Sequence, residues 1–145
     1  MNEFLSLFTR ASKLMREAAD EAMSRHGVRV GQNLVLEVLW ETDGLTPGEL
    51  AERLHVATPT VVKSATRMEA SGLLTRRRDK HDARLVRVYL TERAKAVRNA
   101  IETERDTLAK RATAGLTDAE QRTLERALTI IIEEFADSTE HRRHG

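Results

Sequence analysis

Lys63 and Arg67 stand four residues apart among hydroxyls at Thr58, Thr60 and Ser64, and a second cationic group follows at Arg76, Arg77 and Arg78. Further on, Lys80, Asp82 and Arg84 recur at every second position of a polar stretch. Hydroxyls and cations of this kind contact phosphate oxygens and base edges, and a planar guanidinium can take the edge of guanine on two bonds. A carboxylate at Asp82 can hold the guanidinium of Arg84 in one orientation. A planar cation fixed at a loop tip suits a narrow, electronegative minor groove. An ordinary surface ion pair of the same two residues would contribute well under ~1 kcal/mol. The chemistry on offer is binding of a grooved polyanion, and duplex DNA is the expected partner.

Other chemistries find little support. The chain has no cysteine, which removes disulfides, thiolate metal sites, cysteine nucleophiles and thiol redox sensing. His26, His55 and His81 lie in three separate segments, and His141 and His144 fall in the charged last residues with Arg142 and Arg143 between them, so neither a metal site nor a cofactor is expected. No nucleophile, base and orienting group occur together, so the expectation is a protein that is not an enzyme. Glu3, Arg10, Lys13, Arg16, Glu17, Asp20 and Glu21 interrupt the first thirty residues, unlike a secretory leader. No later apolar run approaches the ~18 residues of a membrane span. The expected compartment is the cytoplasm.

The net charge of +1 hides an uneven distribution: residues 46–95 hold 11 Lys and Arg against 6 Asp and Glu, and the remainder holds 13 against 17. A solvated face can also carry such an excess. The elements that position these charges decide between the two readings.

Thr46, Pro47 and Glu49 supply a capping hydroxyl, a proline at the first helical position and a carboxylate three past the cap, which predicts a helix to about Leu54. Thr58 and Pro59 repeat the cap-then-proline signal and predict a second helix to Ser71, closed by Gly72. Two helices separated by about three residues have helix-turn-helix spacing. With Thr58 as the cap, the outward residues of the second helix are Thr58, Thr60, Val61, Lys63, Ser64 and Arg67, while Val62, Ala65 and Met68 pack inward. Leu74 to Arg78 and Leu85 to Leu90 then read as two strands, with Val86, Val88 and Leu90 inward and the polar residues 79–84 linking them. A lone hairpin is marginal in water, so this one must lean on the helices as a wing. Arg76 to Arg78 alternate faces, which sends at least one toward solvent.

Long helices flank this module. Phe4, Phe8, Ala11, Met15, Ala18 and Ala22 mark one face of a helix that Gly27 stops, and a run over about residues 31–42 is apolar on several sides. After the wing, Ala94, Val97, Ile101 and Leu108 stripe a helix from Thr91 to a break at Gly115. Thr117 and Glu120 form another capping box, and Leu124, Leu128, Ile131 and Phe135 stripe the last helix, widened by Ala127, Ile130 and Ile132. Faces that wide at both ends imply a homodimer, the alternative being a bundle within one chain that consumes them.

The run LTPGELAERLHVATPTVVKSATRMEASGLLTRRRDKHDARLVRVYLTERA resembles the winged helix-turn-helix of the MarR family. The threonine-rich second helix, the EASGLLTR turn into the wing, the pair Asp82 and Arg84, and Leu90 with Thr91 carry the likeness, and the flanking helices agree in number and order. Ala83 and Ala94 depart from it, standing where many members have arginine and glycine. The resemblance implies a mainly α fold with a small antiparallel β-hairpin wing. It implies one domain over 1–145: dimerisation helices at 1–30 and 95–138, a DNA-binding lobe at 31–94 and a disordered tail at 139–145. It also implies a dimeric transcription factor on a pseudo-palindromic operator, with Thr60, Lys63 and Arg67 contacting DNA from the helix and Arg84 from the wing. Arg76, Arg78, Lys80 and Asp82 belong to the same expected surface. A repressor released by a phenolic or carboxylate-bearing effector is implied as well, with Met15, Arg16, Met23 and Trp40 on the elements that would line its cleft. A winged helix used only for protein contact is the competing reading.

Overall fold

The apolar spacing of the chain is realised as seven helices and one hairpin among the described residues. The computed structural model describes the backbone of residues 3–144 and the side chains of residues 3–136. The tail expected to be disordered at 139–145, with His141 and His144, lies outside the described side chains. No helix among the described residues is long and apolar enough to cross a membrane.

Helix α1 (Glu3–Ser24) is closed by a turn at Gly27, whose φ of +77° suits a residue without a side chain. A Cβ there would also collide with the guanidinium of Arg93. Helix α2 (Gln32–Glu41) sends Val35, Leu36 and Leu39 into the core. Helix α3 (Pro47–Leu54) begins with the expected capping box: the Glu49 amide donates to Thr46 Oγ1 at 3.2 Å and the Thr46 amide to Glu49 Oε1 at 3.3 Å. Helix α4 (Thr58–Ala70) follows after His55, which takes the left-handed conformation (φ 56°) and turns the chain sharply between the two helices.

Strands β1 (Leu74–Arg78) and β2 (Val86–Leu90) pair antiparallel, with Leu74 opposite Leu90 and Arg78 opposite Val86. Leu45 adds a single bridge to Val88, whose amide donates to the Leu45 carbonyl at 2.8 Å. The hairpin therefore leans on the segment before α3, and the buried side chains of Leu74 and Val88 lean on the helices. Thr91 ties the end of the wing to the end of α4, its hydroxyl donating to the Gly72 carbonyl at 2.7 Å.

The single helix expected after Thr91 is two: α5 (Glu92–Ala96) and α6 (Arg98–Thr113), parted at Val97. The Trp40 indole N–H donates to the Ala94 carbonyl at 3.0 Å, and a side chain inserted into a helical ladder is a recognised cause of such a break. Helix α7 (Asp118–His144) starts at the second predicted capping box, between Thr117 and Glu120.

One core joins these elements. Val28, Leu36, Leu39, Leu50, Val61, Met68, Leu73, Leu74, Val88 and Ile101 are shut off from solvent within it. Each such side chain contributes about 1.5 to 3 kcal/mol through burial. Helix α1 joins through Ala19 and Met23 near its end and packs on α6, where His26 Nε2 meets Glu104 Oε1 at 3.2 Å. Of its expected apolar face, Phe4, Phe8, Ala11 and Met15 are exposed and Ala18 and Ala22 half-buried, and Leu5, Leu7 and Leu14 beside them are exposed as well. The same holds for Leu124, Ile130, Ile132 and Phe135 of α7. A bundle within the chain does not consume these faces.

Candidate nucleic-acid interface

Helix α4 takes its phase from its start. The N-cap is Ala57, which makes no side-chain capping bond, and Thr58 is the first helical residue, with Pro59 behind it. Proline fits either of the first two helical positions because both amides lack a partner inside the helix. This corrects the expectation of Thr58 as the cap; Ala65 and Met68 are inward as expected, and Val61 takes the inward place expected of Val62. Val61, Ala65 and Met68 face the core, and Val61 is only 2% exposed, so it is not a surface residue. Val62, expected inside, is 40% exposed. The spacing of 61, 65 and 68 is that of one helical face, which 62 does not share.

The outer arc of α4 then comprises Thr58, Pro59, Thr60, Val62, Lys63, Thr66 and Arg67, all exposed, with Ser64 half-buried beside Met68. Neither Lys63 nor Arg67 takes part in an ion pair among the described residues, so both charges are available to a ligand.

The wing is organised around Asp79, a residue absent from the expected site. Its Oδ1 accepts from the amides of His81 at 2.7 Å and Asp82 at 3.0 Å, and its Oδ2 accepts from Arg87 Nε at 2.5 Å. The Arg87 guanidinium, with those two amides, draws the Asp79 carboxyl down from 3.8 to about 2. Arg87 also donates to the Gly44 carbonyl at 2.9 Å, which ties the wing to the turn before α3. An aspartate that receives amides from two and three residues on is a turn-forming aspartate, and that is the signal available in the sequence.

At the loop tip the expected pair is present. Arg84 Nε donates to Asp82 Oδ1 at 3.0 Å and Nη2 to Oδ2 at 3.2 Å, and the Arg84 side chain is 90% exposed. The Arg84 guanidinium and amide hold the Asp82 carboxyl below its ordinary value. Asp82 is therefore a support for Arg84. Arg78 braces the same loop by donating to the Ala83 carbonyl at 2.6 Å, and Lys80 is exposed beside it. Arg76 differs from the expectation, because its backbone amide and guanidinium all bond to Glu69 of α4, at 3.1 to 3.3 Å. That pairing lowers the Glu69 carboxyl and fastens the wing to α4, so Arg76 contributes little free charge. Arg77 lies over the Tyr89 ring at 4.0 Å on the sheet face.

A cleft of about 750 Å³ runs between the end of α1, the segment before α2, and α4. Arg16, Arg29, Thr60, Lys63, Ser64 and Arg67 meet there over an apolar floor that includes Val30 and Leu34. Asp20 and Arg29 form a two-bond pair across one side, both bonds 2.8 Å. Of the four residues expected to line an effector cleft, only Arg16 does so. Met23 is buried in the core, Met15 is exposed elsewhere on α1, and Trp40 is turned to the Ala94 carbonyl with Arg98 over its ring.

Two packed helices with a bent turn, the second carrying free cations and flanked by a braced hairpin, define a winged helix-turn-helix. Residues 30–86 match the model of the MarR family. The chain is 35% identical over 80 residues to the HTH-type transcriptional regulator TtmR of Methylorubrum extorquens, a match covering 55% of this chain and 41% of that protein. It is 32% identical over 91 residues to the organic hydroperoxide resistance transcriptional regulator of Bacillus subtilis, covering 63% of this chain and 62% of the relative. The chain thus spans less than two thirds of either relative. Among solved structures, that of S. aureus MepR in complex with DNA superposes with a TM-score of 0.82 at 24% identity, covering 90% of this chain and 97% of that one. The expected fold is the one observed.

Proposed function

We propose that this protein is a sequence-specific, duplex-DNA-binding transcriptional regulator that works as a homodimer in the cytoplasm and has no enzymatic role. The observation that carries the reading is the pairing of unneutralised cations on α4 with a wing arginine held outward by Asp82 and a loop braced by Asp79. A helix of this kind fits a major groove, and a fixed guanidinium at the wing tip fits the neighbouring minor groove. Thr58, Thr60, Lys63, Ser64 and Arg67 would contact DNA from the helix, and Arg78, Lys80 and Arg84 from the wing. The exposed apolar faces of α1 and α7 support pairing with a second copy, because water-exposed surface of that extent favours association. A pair of such lobes reads a pseudo-palindrome.

Release by a small anionic effector has a specific observation in its favour. Thr60, Lys63 and Arg67 line the same cleft as Arg16. A carboxylate-bearing molecule seated there would compete for the groups that meet DNA, favouring a state with lower duplex affinity and so acting as the inducer of a repressor.

Repeated selection of duplexes from a random-sequence pool on the full chain tests the reading. Enrichment of an inverted repeat with half-sites about one helical turn apart is expected. Enrichment of nothing, with equal affinity for unrelated duplexes, favours the protein-contact use of a winged helix instead.

A further inference from the structure

Resting on the DNA-binding reading above, we propose that Val62 selects thymine, through contact with the 5-methyl group that this base presents in the major groove. The outer surface of α4 has two unlike halves. On one flank Thr60, Lys63 and Arg67 border the cleft beside Arg16 and Arg29. The other flank turns toward the wing, where Glu69 holds Arg76. Val62 lies on this second flank, 40% exposed, and shares a shallow surface with Thr58, Pro59, Thr60 and Lys63.

The neighbouring hydroxyl does not make this flank polar. Thr66, one turn on, donates its hydroxyl to the Val62 carbonyl at 2.9 Å. With that proton committed inside the helix, Thr66 cannot donate to a phosphate or a base; it adds its γ-methyl group to the flank, and its oxygen can only accept. Pro59, Val62 and Thr66 follow one another at steps of three and four, so they form one continuous apolar strip on an exposed helix face.

The apolar groups of Pro59, Val62 and the Thr66 methyl make no hydrogen bond to a phosphate or a base edge. The surface they complement in a duplex is the thymine methyl, which neither adenine, guanine nor cytosine carries. Leaving Val62 in water gains the isolated chain nothing, since alanine is the better helix former at an exposed position. The strip also separates two kinds of readout on one helix: hydrogen bonds and charge on the cleft side, shape and methyl contact on the wing side.

The test uses the full chain and a duplex recovered from a random-sequence pool by selection on that chain. Each thymine of one half-site is replaced in turn by deoxyuridine, which deletes only the methyl group. Binding of the unaltered chain should weaken roughly fourfold at one or two positions and nowhere else, the effect of removing one buried methyl. Val62→Ala should bind the thymine duplex about as weakly as the unaltered chain binds the deoxyuridine duplex, and should no longer distinguish the two. Its melting temperature should not fall, which separates a lost contact from a lost fold. Thr66→Ser removes the second methyl and should narrow the discrimination, whereas Thr66→Val should keep it. Tight, selective binding with no response to deoxyuridine, or a Val62→Ala protein that keeps the full response, overturns the assignment while leaving the DNA-binding reading in place. Failure of the unaltered chain to enrich any duplex overturns both.

Discussion

The lobe over 32–94 and the two end helices treat their apolar residues in opposite ways. Within the lobe, Leu36, Leu39, Leu50, Val61, Met68, Leu74 and Val88 are closed off from water, and each junction is tied by a defined bond. Examples are the Thr46–Glu49 cap, Thr91 on Gly72, Arg76 on Glu69 and Arg87 on Gly44. At the ends, Phe4, Leu5, Leu7 and Phe8 of α1 and Leu124, Ile130 and Ile132 of α7 stay in contact with solvent. The lobe closes its apolar side chains within one chain, whereas the ends leave theirs in water, where the proposed second copy would cover them. Under the proposed function, placement of α4 on a duplex depends on two separable quantities: the rigidity of the lobe and the pairing of the ends.

The largest effect should come from the ends. Leu124→Glu combined with Ile131→Glu should halve the mass in solution and weaken operator binding on the order of a hundredfold or more, because linked half-sites then bind singly. A folded variant of unchanged mass breaks the comparison. In the lobe, Leu50→Ala leaves a cavity at a fully buried position and should cost about 2 to 5 kcal/mol in chemical denaturation, with far less effect on subunit pairing once folded. An equal loss of pairing would mean that the two regions are not independent. Arg67→Ala should cost about 1 to 3 kcal/mol on the selected duplex if the guanidinium takes a base edge, with relaxed preference at one position. A uniform loss across all duplexes would assign it to phosphate.

The smallest effect concerns Asp79. Its carboxyl is drawn from 3.8 to about 2 by Arg87 and two loop amides, so its stabilisation is present in full above 3.8 and lost as the pH falls through about 2. Asp79→Asn should therefore lower the melting temperature at neutral pH and flatten its decline between about pH 4 and pH 2. A decline as steep as that of the unaltered chain would remove Asp79 from the account of the wing.

Local chemistry made much of this legible. A hydroxyl, a proline and a carboxylate at set offsets specify the starts of α3 and α7 regardless of what packs against them, and both capping boxes are present. The Asp82–Arg84 pair is equally local. Phase at the start of α4 is harder to read, since a Thr-Pro pair fits with threonine either capping the helix or just inside it. One residue of difference exchanges Val61 and Val62 between core and surface. Other features require tertiary neighbours. Arg87 reaches both Asp79 and Gly44 only because the hairpin register and the Leu45 bridge bring them together. The break at Val97 arises opposite Trp40, 54 residues from the carbonyl it takes, and the same bond removes Trp40 from the cleft.

The proposed function rests on the unpaired cations of α4 and the Asp82-held guanidinium of Arg84 meeting the polyanionic duplex together. Equilibrium titration of the selected duplex over a range of salt concentrations, with the unaltered chain and Arg84→Ala side by side, addresses it most directly. Log affinity should fall linearly with log salt, and the slope should become shallower by about 0.9 for each wing that loses its arginine. Binding indifferent to salt, or the same slope for both proteins, would contradict it.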